Sequence, residues 1–186
     1  MADTSDFRNG MVMRLDGKLY SIVEFMHVKP GKGGAFVRTK LKEIPDGSVI
    51  NKTFRSGEKV EEVRVERRKH QFLYEKNGLY HMMDLQDYSQ ITLSESLLEN
   101  ELKFMKENME LDILFDGDIP IEVSMPIFVE LKVAEAEPGV KGNTAQGGSK
   151  NVVLETGTEL DVPLFIEEGD LLKIDTRSGE YIERIQ

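Results

Sequence analysis

The sequence predicts an all-β chain made of small barrels or sandwiches. Apolar residues alternate in short runs, Gly, Pro and Asp turns break those runs at close intervals, and a single segment follows the helical period instead.

The first strands read as a hairpin. Met11 to Leu15 and Leu19 to Phe25 are joined through Asp16-Gly17, a pair that tolerates positive φ. The run from Ala35 to Leu41 alternates, with Ala35, Val37, Thr39 and Leu41 on one face. Phe36, Arg38, Lys40 and Lys42 fall on the other, so the basic residues line one side of a strand. Further strands are expected at Ser48–Phe54, Val63–Val65, Gln71–Tyr74 and Leu79–Leu85. Glu95 to Glu107 predicts the one helix, with Ser94 as N-cap and Leu97, Leu98, Leu102 and Met105 near a 3.6-residue period. Strands resume at Leu111–Phe115, Ile119–Val123, Phe128–Ala134, Val152–Leu154, Glu159–Ile166, Leu171–Asp175 and Glu180–Ile185. The tyrosines and phenylalanines sit mainly at strand spacing and read as core.

The charged patch Glu66-Arg67-Arg68-Lys69 and the break at Ser124-Met125-Pro126 divide the chain into three pieces, 1–64, 65–126 and 127–186. A piece of about 60 residues buries only about 60% of its unfolded surface, so each is expected to pack on its neighbours or to stay close to a rigid linker. Glu137–Lys150 is the only long irregular segment, and loops of that length are usually functional or mobile.

Composition excludes several classes. The 186 residues are 39% apolar and 31% charged, the balance of a globular protein. No apolar run approaches the ~18 residues of a membrane span. Met1 to Asp6 is acidic and polar, unlike a secretory signal, so the cytoplasm is the expected location and no membrane partner is expected. The absence of cysteine removes disulfides, thiolate metal sites and cysteine nucleophiles.

Charge is unevenly spread. The 24 Lys+Arg against 34 Asp+Glu give a net of −10, yet residues 1–64 carry 12 against 9, a net of +3, leaving 12 against 25, or −13, for the remainder. Lys29, Lys32, Arg38, Lys40 and Lys42 stand in one stretch without an intervening acid. Such a segment attracts a polyanion that the rest of the surface repels. It also fits a solvated strand face that discourages edge-to-edge aggregation. Charge alone leaves both readings open.

No catalytic centre emerges. His27, His70 and His81 lie far apart on separate strands without ligand spacing, so no metal or cofactor is expected. Glu61-Glu62 and Glu167-Glu168 lack the apolar setting that raises a carboxyl pKa, and no Ser sits in a G-x-S-x-G elbow. Gly142 to Ser149 nearly fits a phosphate-binding loop, but Gly148 stands where the motif needs Lys and no helix pattern follows.

One constellation stands apart, Val28-Lys29-Pro30-Gly31-Lys32-Gly33-Gly34-Ala35-Phe36. Pro30 presets φ, and Gly31 is expected to supply the positive φ of a type II turn. Gly33 and Gly34 strip side-chain bulk from around Lys32 and permit close approach by a large partner. One long cationic side chain is left at the apex of a hairpin. A Gly-rich turn with an incidental lysine is the plainer reading, against which stand the basic strand that follows and the glycines on both sides of Lys32.

At this motif the sequence resembles the bacterial translation elongation factor P family. The likeness continues through Lys52-Thr53-Phe54-Arg55-Ser56-Gly57-Glu58-Lys59-Val60 and Glu101-Leu102-Lys103-Phe104-Met105-Lys106-Glu107-Asn108-Met109. It extends to Glu137-Pro138-Gly139-Val140-Lys141-Gly142 and to Asp175-Thr176-Arg177-Ser178-Gly179-Glu180-Tyr181, and so covers essentially the whole chain.

The resemblance implies three β-barrel domains in an L shape like that of tRNA, an SH3-like (KOW-like) barrel followed by two OB-folds. It implies a monomeric, non-enzymatic factor that binds the 70S ribosome between the peptidyl and exit sites. There it would position peptidyl-tRNA and relieve stalling at consecutive prolines. Lys32 occupies the tip position that reaches toward the CCA end in the family and usually carries a post-translational extension, which implies a Lys32-modifying enzyme as a partner. Lys29, Arg38, Lys40 and Lys42 would contact tRNA or rRNA phosphates, which position without reading sequence. Tyr181 and Arg184 match family residues that contact the anticodon stem and small subunit. Gly142-Asn143-Thr144 matches a loop that approaches the exit-site codon on mRNA, with Asn143 where the family pattern has Asp. The change keeps the hydrogen-bonding shape, removes a charge and adds amide donors.

Two other classes compete with this reading. A generic single-stranded-RNA-binding OB protein needs stacking aromatics beside basic residues on an exposed strand face, and Phe36 is the one aromatic clearly on the basic face. An enzyme using acidic residues on a barrel rim needs a convergent site that the sequence does not offer. The related archaeal and eukaryotic factors have two domains, so a third domain argues for the bacterial branch.

Overall fold

The computed structural model describes residues 1–136 and 148–185, and in them the chain is nearly all β. It divides into two compact units, residues 1–67 with 113–122, and residues 68–112 with 123–186. No helix among the described residues is long and apolar enough to cross a membrane.

The first sheet contains β1 (Ala2–Asp3), β2 (Val12–Leu15), β3 (Lys18–Val28), β4 (Phe36–Ile44), β5 (Val49–Arg55) and β6 (Lys59–Val63), in the order β1-β6-β2-β3-β4-β5. β2 and β3 are joined as expected through Asp16 and Gly17, at φ 51° and 83°, with Leu15 opposite Lys18. Positive φ at both central residues matches the right-handed twist of the flanking strands. β4 alternates as its sequence predicts. Val37, Thr39 and Leu41 are buried while Arg38, Lys40 and Lys42 are exposed. Leu41 joins Met13, Ile22, Val37 and Phe54 in the core beneath the sheet. Truncating it to Ala would cost about 2–5 kcal/mol.

A second sheet holds β7 (Val65–Lys76), β8 (Leu79–Asp84), β9 (Gln90–Ser94), β10 (Glu110–Asp116) and β11 (Ile119–Ser124), ordered β11-β10-β7-β8-β9. The patch Glu66 to Lys69 thus lies inside a strand rather than in a linker. Asn77 and Gly78, at φ 56° and 74°, turn β7 into β8 in the same way as Asp16-Gly17. The third sheet contains β12 (Phe128–Ala136), β13 (Ser149–Leu154), β14 (Glu159–Pro163), β15 (Leu171–Asp175) and β16 (Glu180–Ile185), ordered β14-β13-β12-β15-β16. Leu131, Val152, Leu154, Val162, Ile166, Leu172 and Ile174 fill its core.

Two expectations are corrected. The helix over Glu95 to Glu107 is absent, replaced by a single 3₁₀ turn at Glu95–Leu97 and a string of separate turns. Ser94 makes no side-chain cap. The carbonyl of Lys103, which in a helix would accept the Glu107 amide, instead accepts the hydroxyls of Thr156 and Thr158 at 2.7 and 2.6 Å. Phe104 is drawn into the core of the third sheet, so tertiary contacts override the local period. Nor are the aromatics uniformly core, since Tyr74, Tyr88, Phe128 and Phe165 are exposed.

Candidate nucleic-acid interface

β3 and β4 pair from Leu19↔Ile44 out to Val28↔Phe36, which leaves residues 29–35 as an unpaired tip. Lys29, Pro30, Gly31, Lys32, Gly33 and Gly34 are all exposed. The left-handed residue is Gly33, at φ 105°, and not Gly31 as a type II turn requires. Residues 29–35 make no β3–β4 pairs, which spreads the reversal over a wider loop with bends at Gly31, Lys32 and Gly33, and the left-handed residue falls after Lys32 rather than before it. A side chain at Gly31 or Gly34 would meet nothing within 4 Å. Those two glycines therefore leave open space around Lys32.

Behind the tip, the outward face of β4 runs across three strands. Phe36 lies between Val28 and Arg55, Arg38 between Met26 and Thr53, Lys40 between Glu24 and Asn51, and Lys42 between Ser21 and Val49. The Arg38 guanidinium sits 5.4 Å from the Phe36 ring centre. Lys29, Lys32, Arg38 and Lys40 have no ion pair among the described residues, whereas Lys42 approaches Glu122 at 3.7 Å. Met26, Arg38, Lys40, Asn51 and Thr53 help line a shallow cleft of about 350 Å³. Arg55 extends this basic row beyond the residues singled out from sequence. Its place beside Phe36 depends on strand register, which the motif Lys52-Thr53-Phe54-Arg55 does not by itself encode. Cationic groups on long side chains, with hydroxyl and amide donors among them, suit phosphate contacts.

Tyr181 and Arg184 lie on β16, opposite Ile174 and Leu172. Three residues apart on a regular strand, they would point to opposite faces. A bulge at Ile182 puts both over the same buried pair, and Ile182 itself is exposed. Tyr181 packs half-buried on the core. The Arg184 guanidinium stands 5.5 Å from the centre of the exposed Phe165 ring, and its Nη1 donates to Asp170 Oδ2 at 3.4 Å. In the turn between β15 and β16, Arg177 grips Asp175 with Nε to Oδ1 at 3.0 Å and Nη2 to Oδ2 at 2.6 Å, and its amide adds a bond to Oδ1 at 2.9 Å. These bonds hold the Asp175 carboxyl down to about 2. Gly142, Asn143 and Thr144 fall outside the described residues.

Sequence comparison is consistent along the whole chain. Residues 3–60 match the elongation factor P (EF-P) KOW-like domain family, 65–123 the elongation factor P (EF-P) OB domain, and 129–184 the elongation factor P C-terminal family. The chain is 53% identical to elongation factor P of Natranaerobius thermophilus, with 100% of this chain and 99% of that protein covered. Against elongation factor P of Moorella thermoacetica it is 54% identical, over 99% of this chain and 100% of the relative. The chain belongs to the elongation factor P family. It is accordingly a translation elongation factor. Two solved structures share the fold across 67% of this chain. The translation initiation factor 5A from Methanococcus jannaschii aligns over 93% of its own length with a TM-score of 0.50 and 23% identity. An initiation factor 5A family protein from Naegleria fowleri aligns over 96% of its length, at 0.51 and 18%. The elongation factor P family thus supplies the KOW-like and OB architecture expected from the sequence.

Proposed function

We propose that the chain binds the 70S ribosome between the peptidyl and exit sites as a monomer in the cytoplasm. There it positions peptidyl-tRNA and relieves stalling at consecutive prolines. Its three domains would span 1–64, 65–126 and 127–186. Lys32, modified by a separate enzyme, reaches toward the CCA end of peptidyl-tRNA. Lys29, Arg38, Lys40 and Lys42 contact tRNA or rRNA phosphates, Tyr181 and Arg184 contact the region near the anticodon stem, and Gly142-Asn143-Thr144 approaches mRNA at the exit site.

The observation that carries this reading is the tip itself, an exposed lysine among bare glycines on a hairpin whose outward face is basic. Proline is a rigid secondary amine and a slow participant in peptide-bond formation. A factor that only holds the reactants in attack geometry can still accelerate the step by orders of magnitude. Surface acidity elsewhere, in a chain of net charge −10, suppresses attachment to other RNA.

The test is a reporter carrying three consecutive prolines in cells lacking the factor. Wild type restores its synthesis, and Lys32→Ala abolishes the rescue without lowering Tm, because an exposed tip side chain has little packing to lose. Wild-type-like rescue by a stably folded Ala variant overturns the assignment. Peptide mass spectrometry across Lys32, on protein from its native host, reads the modification directly.

A further inference from the structure

The second sheet carries an outward face on β7, β8 and β9. On its inner side Phe72 pairs with Met82, and both are buried. By strict alternation Tyr74 would follow Phe72 inward. A bulge at Leu73 shifts the register, so that Tyr74 pairs with His81 on the outer side, with Thr92 of β9 next in the row. A bulge that re-aims one side chain in this way is usually a retained feature rather than a defect. The two rings stack at 4.5 Å between centres with 24° between planes, and Thr92 Oγ1 lies 3.4 Å from His81 Nδ1. Tyr74 remains 41% exposed. A flat aromatic pair is thus held on the surface when the core could have taken it.

The charge around the pair is as informative as the rings. Lys69 precedes it on the outer side of β7 and Lys76 follows it. Neither makes an ion pair among the described residues. The nearby Glu75 turns back onto the β7–β8 turn, where Oε1 accepts the Gly78 amide at 2.6 Å. In a chain of net charge −10, two unneutralised lysines flanking an aromatic stack form a local exception. β7, β8 and β9 are also the first three strands of the segment matching the OB domain. OB-folds take oligonucleotides on the face around their second and third strands, to which His81 on β8 and Thr92 on β9 belong, while Tyr74, Lys69 and Lys76 extend that face onto the first strand, β7.

We propose that Tyr74 and His81 form a stacking platform for an unpaired RNA base, with Lys69 and Lys76 on the flanking phosphates. Stacking serves any base because every base has a π-face, while the lysines supply a salt-dependent backbone contact. The site shares no residue with the Lys32 tip and does not depend on the function proposed above.

The experiment is a fluorescence-anisotropy titration of the full chain with a labelled mixed-sequence single-stranded RNA about ten nucleotides long, a length within the usual OB site size. The same strand annealed to its complement serves as the comparison. The expected result is saturable binding at low salt that favours the single strand over the duplex. Tyr74→Ala weakens it about five-fold or more, and Tyr74→Phe, which keeps the flat ring, retains it. Lys69→Ala with Lys76→Ala flattens the salt dependence. A melting curve for each variant confirms the fold, and Tyr74→Leu separates the flat ring from simple apolar bulk. Absence of saturable binding by wild type, equal binding of duplex, or unchanged affinity in Tyr74→Ala overturns the proposal. So does a parallel loss in Lys32→Ala, which would assign the RNA to the hairpin. Retained oligonucleotide binding by Lys32→Ala alongside failed proline rescue supports both sites separately.

Discussion

The cations at the tip and on the outward face of the β3–β4 hairpin, Lys42 apart, and those of the β15–β16 hairpin are used in opposite ways. On the first hairpin, Lys29, Lys32, Arg38 and Lys40 have no ion-pair partner among the described residues. On the last, Lys173 pairs with Glu183 at 2.9 Å, Arg177 with Asp175 at 2.6 Å and Arg184 with Asp170 at 3.4 Å. An unpaired cation can give its full field to a polyanion. A paired one must first exchange a carboxylate, so part of its attraction is already used within the fold. The first set is therefore suited to attachment, and the second to holding a hairpin in shape while still offering a shielded guanidinium.

Reversing Arg38 and Lys40 to Glu should break the first half of this contrast. Co-sedimentation with ribosomes is expected to be lost, most visibly at low salt, where phosphate contacts contribute most. Tm should change little. β4 is paired on both sides and so has no free edge to guard, and normal binding by a folded variant would instead mark these residues as an ordinary solvated face. Arg184→Ala sharpens the second half, with an expected partial loss of proline-reporter rescue and a stability loss of about 1 kcal/mol in denaturant melts.

Gly33→Ala, set against Gly31→Ala, tests the tip backbone. Only the former forces a side chain into the left-handed region, at a cost of about 1–2 kcal/mol, whereas the latter meets open space and should be silent. The smallest effect concerns Asp175. Its folded carboxyl is held at about 2, below its ordinary value of 3.8. Its stabilisation is therefore present above the unfolded value and is lost as pH falls through about 2. Asp175→Asn should melt slightly earlier than wild type at neutral pH, and the gap should close on acidification below pH 3.8.

What could be read from sequence was what period and turn chemistry encode. The alternation of β4 and the Asp16-Gly17 hairpin are local properties and appear as expected. The Glu95 to Glu107 segment failed because its period is real, but Thr156 and Thr158, more than fifty positions away, claim the carbonyl that a helix would need. Bulges were equally out of reach. One extra residue at Leu73 or Ile182 reverses a face, and nothing in the local composition announces it. The tip was legible in its residues and not in its geometry, since Gly31 and Gly33 are chemically identical and only loop width decides which one is left-handed.

The pairing of β4 on both edges has a mechanical meaning. Hydrogen-bonded to β3 on one side and β5 on the other, it cannot slide, so Arg38, Lys40 and Lys42 behave as pegs on a ruler, about 6–7 Å apart along the strand. A partner meets a spacing already set and need not order a floppy segment first, which removes an entropic penalty that a charged tail would carry. The same ruler ties the surface to the interior. Slipping β4 by one residue against its neighbours would turn Leu41 and Val37 to the solvent and swing the pegs into the core, so adhesion and folding would fail together.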